Sequence, residues 1–328
     1  EIYEQAQAIR DTLQDKIVHG EVVFTGLHLT ETKIKQINKV SFIGCGTAFH
    51  AGLVGKKLIE SLVHIPVEVE VASEYRYQEL FINGDTLTVV ISQSGETADT
   101  LGALRVAKER GSHVLAITNV VNSSVAREAD DVIYTQAGPE IAIASTKAYL
   151  TQLICIYLLA LLLGQKRGTI AQGQGEMIHQ ALSKLPDQVE EILASQEQIK
   201  SVAQLIKEHD HVFFIGRGLD WPVALEATLK LKETSYIHPD AYPAGELKHG
   251  PIALVEKGMP VIALLTQGNV QDKMVSLLTE VKDRGALIIG VSAQRNLLVD
   301  HLLHLPATLD LLMPVLAVVP AQLLAYYV

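Results

Sequence analysis

Apolar positions fall in short runs bounded by glycine or polar turns, with longer patterns spaced at three and four between them. The runs Val40–Ile43, Val67–Val71, Leu87–Ile91, Val114–Ile117 and Val132–Tyr134 read as five strands, the second by its strict alternation. After Leu87–Ile91 the chain breaks into Ser92-Gln93-Ser94-Gly95-Glu96-Thr97, and Leu101, Leu104, Ala107 and Lys108 then resume at helical spacing. Apolar strands alternating with helices predict an α/β fold built on a doubly wound parallel sheet. Residues 1–38 place Ile2, Ala6, Ile9 and Leu13 on one helical face, so they read as a charged helical lead-in that docks on the body. The longest apolar run, Leu158–Leu163, is too short to cross a bilayer and reads as part of a core helix.

The whole pattern then returns. HVFFIGRGLDWPVALEATLKLKE, from His211, lies over KVSFIGCGTAFHAGLVGKKLIE, from Lys39, at an offset of 172. Val40 meets Val212, Phe42 meets Phe214, Gly44 meets Gly216, Val89 meets Val261 and Ser94 meets Thr266; the offset reaches 174 at Gly111 and Gly285. So sustained an offset predicts two copies of one α/β fold, a pseudo-symmetric pair too large to be solenoid repeats. The expected segments are a lead-in over 1–38, a first copy over 39–167, a polar helical connector over 168–207 and a second copy over 208–328.

Composition narrows the partners. A 328-residue chain with 48% hydrophobic and 20% charged residues is ordinary for a globular protein of two domains. Net charge of −10 excludes a nucleic-acid or anionic membrane surface, so an anionic ligand must be held by local donors. Two cysteines, Cys45 and Cys155, supply neither a disulfide framework nor a zinc cluster, and nothing points to an oxidising compartment. The first residue is Glu1 and the last stretch is the apolar AQLLAYYV, which reads as a chain cut from something longer.

The candidate chemistry is concentrated in four places. Ser92, Ser94, Thr97 and Thr100 cluster where a helix leaves its first N–H groups without intrahelical partners, an arrangement suited to phosphate. The plain alternative is a capping box with Ser94 as N-cap. The second copy has LLTQGN at the equivalent turn, with fewer hydroxyls, but carries Lys230, Glu233 and His249. The expectation is a division of labour: the first copy grips an anion and the second supplies acid and base. Glu233, near Lys230 and an apolar helix face, can be tuned as a general base, or can be half of a solvated ion pair. His249, in the turn-rich stretch Pro243–Pro251, can move protons near neutral pH, or can be satisfied by a backbone carbonyl. Ser145 or Thr146 caps the long apolar helix, with Glu140–Lys147 as a second lining of the pocket. Gly44-Cys45-Gly46 starts like a dinucleotide fingerprint, but Phe49 stands at the third glycine. His301 and His304 lack a third metal ligand at suitable spacing.

The motifs SQSGETADT, ASTKAY, LKLKETSYIH and GELKHGP, in this order across the two copies, resemble the isomerase half of the glutamine–fructose-6-phosphate aminotransferases. Each copy is similar to a sugar-isomerase (SIS) domain. The resemblance implies a ketose–aldose isomerase that turns fructose 6-phosphate and ammonia into glucosamine 6-phosphate in hexosamine biosynthesis. It implies that Thr47, Ser92, Gln93, Ser94, Thr97, Ile143 (through its carbonyl) and Ser145 hold the sugar phosphate, glucose 6-phosphate included. Glu233 would move the proton between C-1 and C-2, Lys230 would face the developing oxyanion or enolamine, and His249 would help open the ring. No redox cofactor or metal is implied. A cytoplasmic homodimer is implied, with His249 lent by the neighbouring subunit and a glutaminase domain in the full-length protein. The family usually has serine where Ala48 stands, and its C-terminal tail carries a lysine for which this chain has no matching position. The alternatives are a stand-alone SIS deglycase or isomerase on a related amino-sugar phosphate, and a sugar-phosphate-binding module without catalysis.

Overall fold

The computed structural model describes residues 1–295 and 298–328, in two compact units, Tyr3–Ser183 and Lys184–Val328. Unit 1 opens with α1 (Gln5–Leu13), the short antiparallel pair β1 (Ile17–Val18) and β2 (Glu21–Val22), and α2 (Glu31–Gln36). The lead-in is therefore not wholly helical as expected. His19 (φ 51°) and Gly20 (φ 79°) turn the chain back on itself between β1 and β2. The lead-in does dock on the body: the Thr12 hydroxyl accepts the Gln136 N–H at 3.1 Å, and Lys147, 3% exposed, pairs with Glu4.

Next come β3 (Lys39–Gly44), α3 (Thr47–Leu62), β4 (Val67–Val71), α4 (Ala72–Tyr75), β5 (Thr86–Ser92), α5 (Ala98–Glu109), β6 (His113–Thr118), α6 (Ser124–Glu128), β7 (Asp131–Tyr134) and α7 (Lys147–Arg167). The five strands pair in parallel in the order β4-β3-β5-β6-β7. Every residue of β5 is buried, as a parallel strand covered on both faces requires. Beside the sheet, Ile43, Val90, Leu104 and Val114 share one core. Each such fully buried side chain contributes about 1.5–3 kcal/mol relative to exposure.

α8 (Gln172–Ala194) and α9 (Gln196–Ile206) lead to β8 (His211–Gly216), α10 (Asp220–Ser235), β9 (His238–Pro243), β10 (Pro260–Leu264), α11 (Gln271–Asp283), β11 (Leu287–Ser292), β12 (His301–His304) and α12 (Met313–Tyr327). Their order, β9-β8-β10-β11-β12, repeats that of unit 1 strand for strand. The doubly wound α/β fold expected twice from the repeat is present twice. β9 was hard to read from the sequence because Pro239 and Pro243 lie in it; it is an edge strand, where missing N–H donors are tolerated. The core of unit 2 gathers Ile215, Val261, Leu277, Leu278 and Ile288.

The run Leu158–Leu163 belongs to a 21-residue helix, so length alone does not exclude a bilayer span as the shorter run implied. Two helices, Lys147–Arg167 and Asp310–Tyr327, are long and apolar enough to cross a membrane. Both are largely buried inside the protein, 94% and 78%, as core helices are. Both cysteines are free thiols.

Candidate functional site

In each sheet the chain leaves the first strand in one direction and returns on its other side, so a crevice opens between β3 and β5, and again between β8 and β10, at the C-terminal edge. Ligands of doubly wound sheets bind at such a switch point. In unit 1 the loops at that edge carry the expected residues. Thr47 is the first residue of α3, Ser92–Thr97 joins β5 to α5, and Ile143 and Ser145 precede α7.

The turn after β5 is built to keep its donors pointing outward. Gly95 has φ 65°, and a Cβ there would lie 2.1 Å from Ser123 Oγ, so no side chain fits. Ser92 Oγ accepts the Gly95 N–H at 3.0 Å, and Ser94 Oγ accepts the Glu96 N–H at 3.2 Å. Glu96 turns away and accepts the Ser124 N–H at 2.8 Å, a bond that holds its carboxyl below the usual range. The N-cap of α5 is Thr97, not Ser94, and its hydroxyl accepts no first-turn amide; its neighbour is Ser92 Oγ at 3.4 Å. The capping-box alternative thus fails, and the first-turn amides keep their capacity for an anion. Gln93 fixes the turn through its carbonyl, which accepts the Asn119 N–H at 3.1 Å.

Before α7 the capping is done by a residue other than those expected. Thr146 is the N-cap but makes no side-chain cap bond. Glu140 instead accepts the Thr146 and Ala148 N–H groups at 2.8 and 3.2 Å and the Ser145 hydroxyl at 2.9 Å. Ile143 is 98% exposed, so its carbonyl is the group it can offer a ligand.

In unit 2, α10 carries a line of charge on one face. Lys230 Nζ lies 2.7 Å from Glu233 Oε2 and 3.5 Å from Glu226 Oε1. The Lys230 and Glu226 side chains are 2% and 0% exposed, whereas that of Glu233 is 30% exposed. This is not the solvated ion pair that helix spacing allows. The ammonium is fixed between a buried carboxylate and one that reaches the surface. Glu226 was missed in the sequence, although its place four residues before Lys230 is the spacing at which helical side chains meet.

His249 is exposed at the end of a 3-10 turn, Ala244–His249, that follows β9. Among the described residues it has no hydrogen-bonding partner, so no backbone carbonyl holds it in place. Glu233 lies on a different element. β8 and β9 are parallel, so α10 between them must run from the C-terminal edge of the sheet back to the N-terminal edge. Glu233 lies two residues before the end of this 16-residue helix, about 20 Å along it. β9 then climbs back before His249 is reached. Past β9 the 3-10 turns lead the chain back toward β10, which starts at Pro260, and Lys248, beside His249, pairs with Glu280 in the last turn of α11, so His249 lies along this return.

Other chemistry is limited. Among the described residues no three His, Cys, Asp or Glu side chains are grouped to hold a metal ion. A cavity of about 720 Å³ opens at the N-terminal edge of the unit 2 sheet, lined by His209, His211, His238 and Asp240, and it contains none of the candidate residues.

The SIS domain model matches residues 33–162 and 204–328, one stretch in each unit. The chain belongs to the SIS domain family. Among solved SIS structures, the C-terminal domain of glucosamine-fructose-6-phosphate aminotransferase from Francisella tularensis is 37% identical, with a TM-score of 0.94 over 99% of this chain and 93% of that one. The isomerizing glutamine–fructose-6-phosphate aminotransferase of Caldanaerobacter subterraneus subsp. tengcongensis is 54% identical over 332 residues, covering 100% of this chain and 55% of the relative. The chain spans about half the length of the curated relatives it matches. A glucosamine-6-phosphate deaminase from Thermotoga maritima is 25% identical with a TM-score of 0.75. The resemblance read from the four motifs is borne out for the SIS family and for its double SIS architecture.

Proposed function

We propose that the chain is the ketose–aldose isomerase half of a glucosamine-6-phosphate synthase. The observation that carries this is the ordered line Glu226–Lys230–Glu233, which presents one surface carboxylate beside a buried ammonium. Unit 1 grips the phosphate of open-chain fructose 6-phosphate through Ser92, Gln93, Ser94 and Thr97, with Thr47, Ile143 and Ser145 along the sugar. Ammonia condenses at the C-2 carbonyl and water leaves. The Glu233 carboxylate takes a proton from C-1 while the imine nitrogen gains one, giving the enolamine; the proton then returns at C-2 as the O-1 hydroxyl releases its own, leaving the C-1 aldehyde of glucosamine 6-phosphate. Lys230 stabilises the charge that develops during the transfer. The imine is the electron sink, so these steps call for no further cofactor.

His249 opens the closed sugar ring, and it does so from a second copy of the chain. The exposed position of His249, with no hydrogen-bonding partner among the described residues, supports this, because it leaves the imidazole accessible to a second copy. The protein is then a homodimer with shared sites, working in the cytoplasm and attached to a glutaminase domain that supplies ammonia. A stand-alone deaminase is the weaker reading, because identity to such an enzyme is 25% against 54% to the aminotransferase.

The test is proton exchange. The chain is incubated with fructose 6-phosphate and ammonium in heavy water, and NMR follows deuterium entry at C-1 and C-2. Exchange that is lost in Glu233→Gln supports the proposal. Equal exchange in Glu233→Gln would assign the base elsewhere.

A further inference from the structure

The two units place equivalent loops around the switch point of each sheet, yet they fill them differently. At the offset of 172, Asp220 stands where unit 1 has Ala48, and Thr266 stands where it has Ser94. Asp310 lies three residues before α12, as Ala144 lies three before α7. In unit 1 these positions carry no acid. In unit 2, Asp220 is 1% exposed and accepts both the Thr266 N–H, at 2.9 Å, and the Thr266 hydroxyl. Asp310 accepts the Gly268 N–H at 2.8 Å. Gln267 closes the arrangement, with Nε2 donating to Thr266 Oγ1 and to the Asp310 carbonyl, both at 3.0 Å.

We infer that unit 2 retains the counterpart of the anion cradle and that Asp220 and Asp310 occupy it as built-in anions, which confines phosphate binding to unit 1. A carboxylate takes from backbone and hydroxyl donors the same charge-assisted hydrogen bonds that a phosphate takes. The donors around Thr266 and Gly268 are thereby committed to side chains of their own unit. A phosphate arriving there would also meet two like charges, buried Asp220 and exposed Asp310. Burial first, and the charge of Asp310 in addition, push Asp220 up to about 6. Loss of hydroxyls in LLTQGN, which looks like erosion in the sequence, is accompanied by replacement of the ligand itself.

The comparison uses the unit 1 reading, but the test separates the two. Inorganic phosphate is titrated against the chain, against Ser94→Ala/Thr97→Val, and against that variant with Asp220→Ser/Asp310→Asn added. Calorimetry and ³¹P NMR supply the stoichiometry. The expected numbers are one, none and one phosphate per chain. If the folded four-site variant binds no more phosphate than its Ser94→Ala/Thr97→Val parent, the inference is overturned. If that parent binds as the chain does, the unit 1 reading fails, and the increment from replacing Asp220 and Asp310 still decides the present one. Amide hydrogen exchange of the unaltered chain decides it even should the variant not fold. Added phosphate should slow exchange at Ser94–Thr100 and leave Thr266 and Gly268 unchanged; new protection at Thr266 and Gly268 would overturn the inference.

Discussion

Thr97→Val separates the two things a hydroxyl can do at a helix start. Thr97 is the N-cap of α5, but its side chain accepts no first-turn amide. Its loss removes no cap, so stability should change by less than about 0.5 kcal/mol. If the hydroxyl instead donates to a bound phosphate, its loss removes a charge-assisted hydrogen bond worth about 1.5–3 kcal/mol. That raises Kd for fructose 6-phosphate about 10- to 150-fold. Ser94→Ala should behave alike, because its hydroxyl accepts the exposed Glu96 N–H, for which water can substitute. Ser92→Ala is the contrasting case: Ser92 is 4% exposed and its hydroxyl accepts the buried Gly95 N–H. Leaving that donor unpaired costs about 1–3 kcal/mol of stability, with or without ligand. Titration calorimetry and thermal unfolding of the three variants give the answer. Unchanged affinity in Thr97→Val, or a stability loss matching that of Ser92→Ala, would reduce the turn to a plain cap.

Two further outcomes follow from unit 2. Burial lifts Asp220 from 3.8 to about 6, so the unfolded chain releases this proton at lower pH than the folded one. The stability linked to Asp220 falls as pH rises from about 4 to about 6 and stays lower above, by about 3 kcal/mol. Asp220→Asn should remove that slope, so urea midpoints agree with the parent near pH 4 and exceed it at pH 7.5; a parent with no slope across this window contradicts the assignment. His249→Ala should slow reaction of the closed sugar far more than that of an acyclic analogue, measured by comparing turnover on the two; equal slowing would give His249 a different role.

The strands were legible in the sequence because both sheets are parallel and buried on both faces, which turns each strand into an apolar run such as Leu87–Ile91. The repeat gave the second unit from the first. β9 was not legible, since Pro239 and Pro243 are permitted there only by its edge position, which a sequence does not display. The hydroxyl cluster at Ser92–Thr97 was visible, but its capping role could not be read. Thr97 as N-cap and Glu140 as the true cap of α7 depend on turns whose shape is set by packing. Glu226 was readable from its spacing to Lys230. Asp220 was not, because its partners Thr266 and Asp310 lie 46 and 90 positions away in the chain.

The shared site is tested most directly by mixing two inactive variants. Glu233→Gln keeps the shape of the side chain but cannot take a proton, and His249→Ala cannot open the ring. Each alone should fail on closed fructose 6-phosphate. The two are unfolded and refolded together, exchange of subunits is verified by mass-tagged copies, and glucosamine 6-phosphate is assayed. If His249 serves the neighbouring copy, mixed dimers contain one pocket with both groups intact, and activity should return to about a quarter of the parent value by random pairing of equal amounts. Verified mixed dimers without activity would contradict the shared site and leave His249 with its own chain.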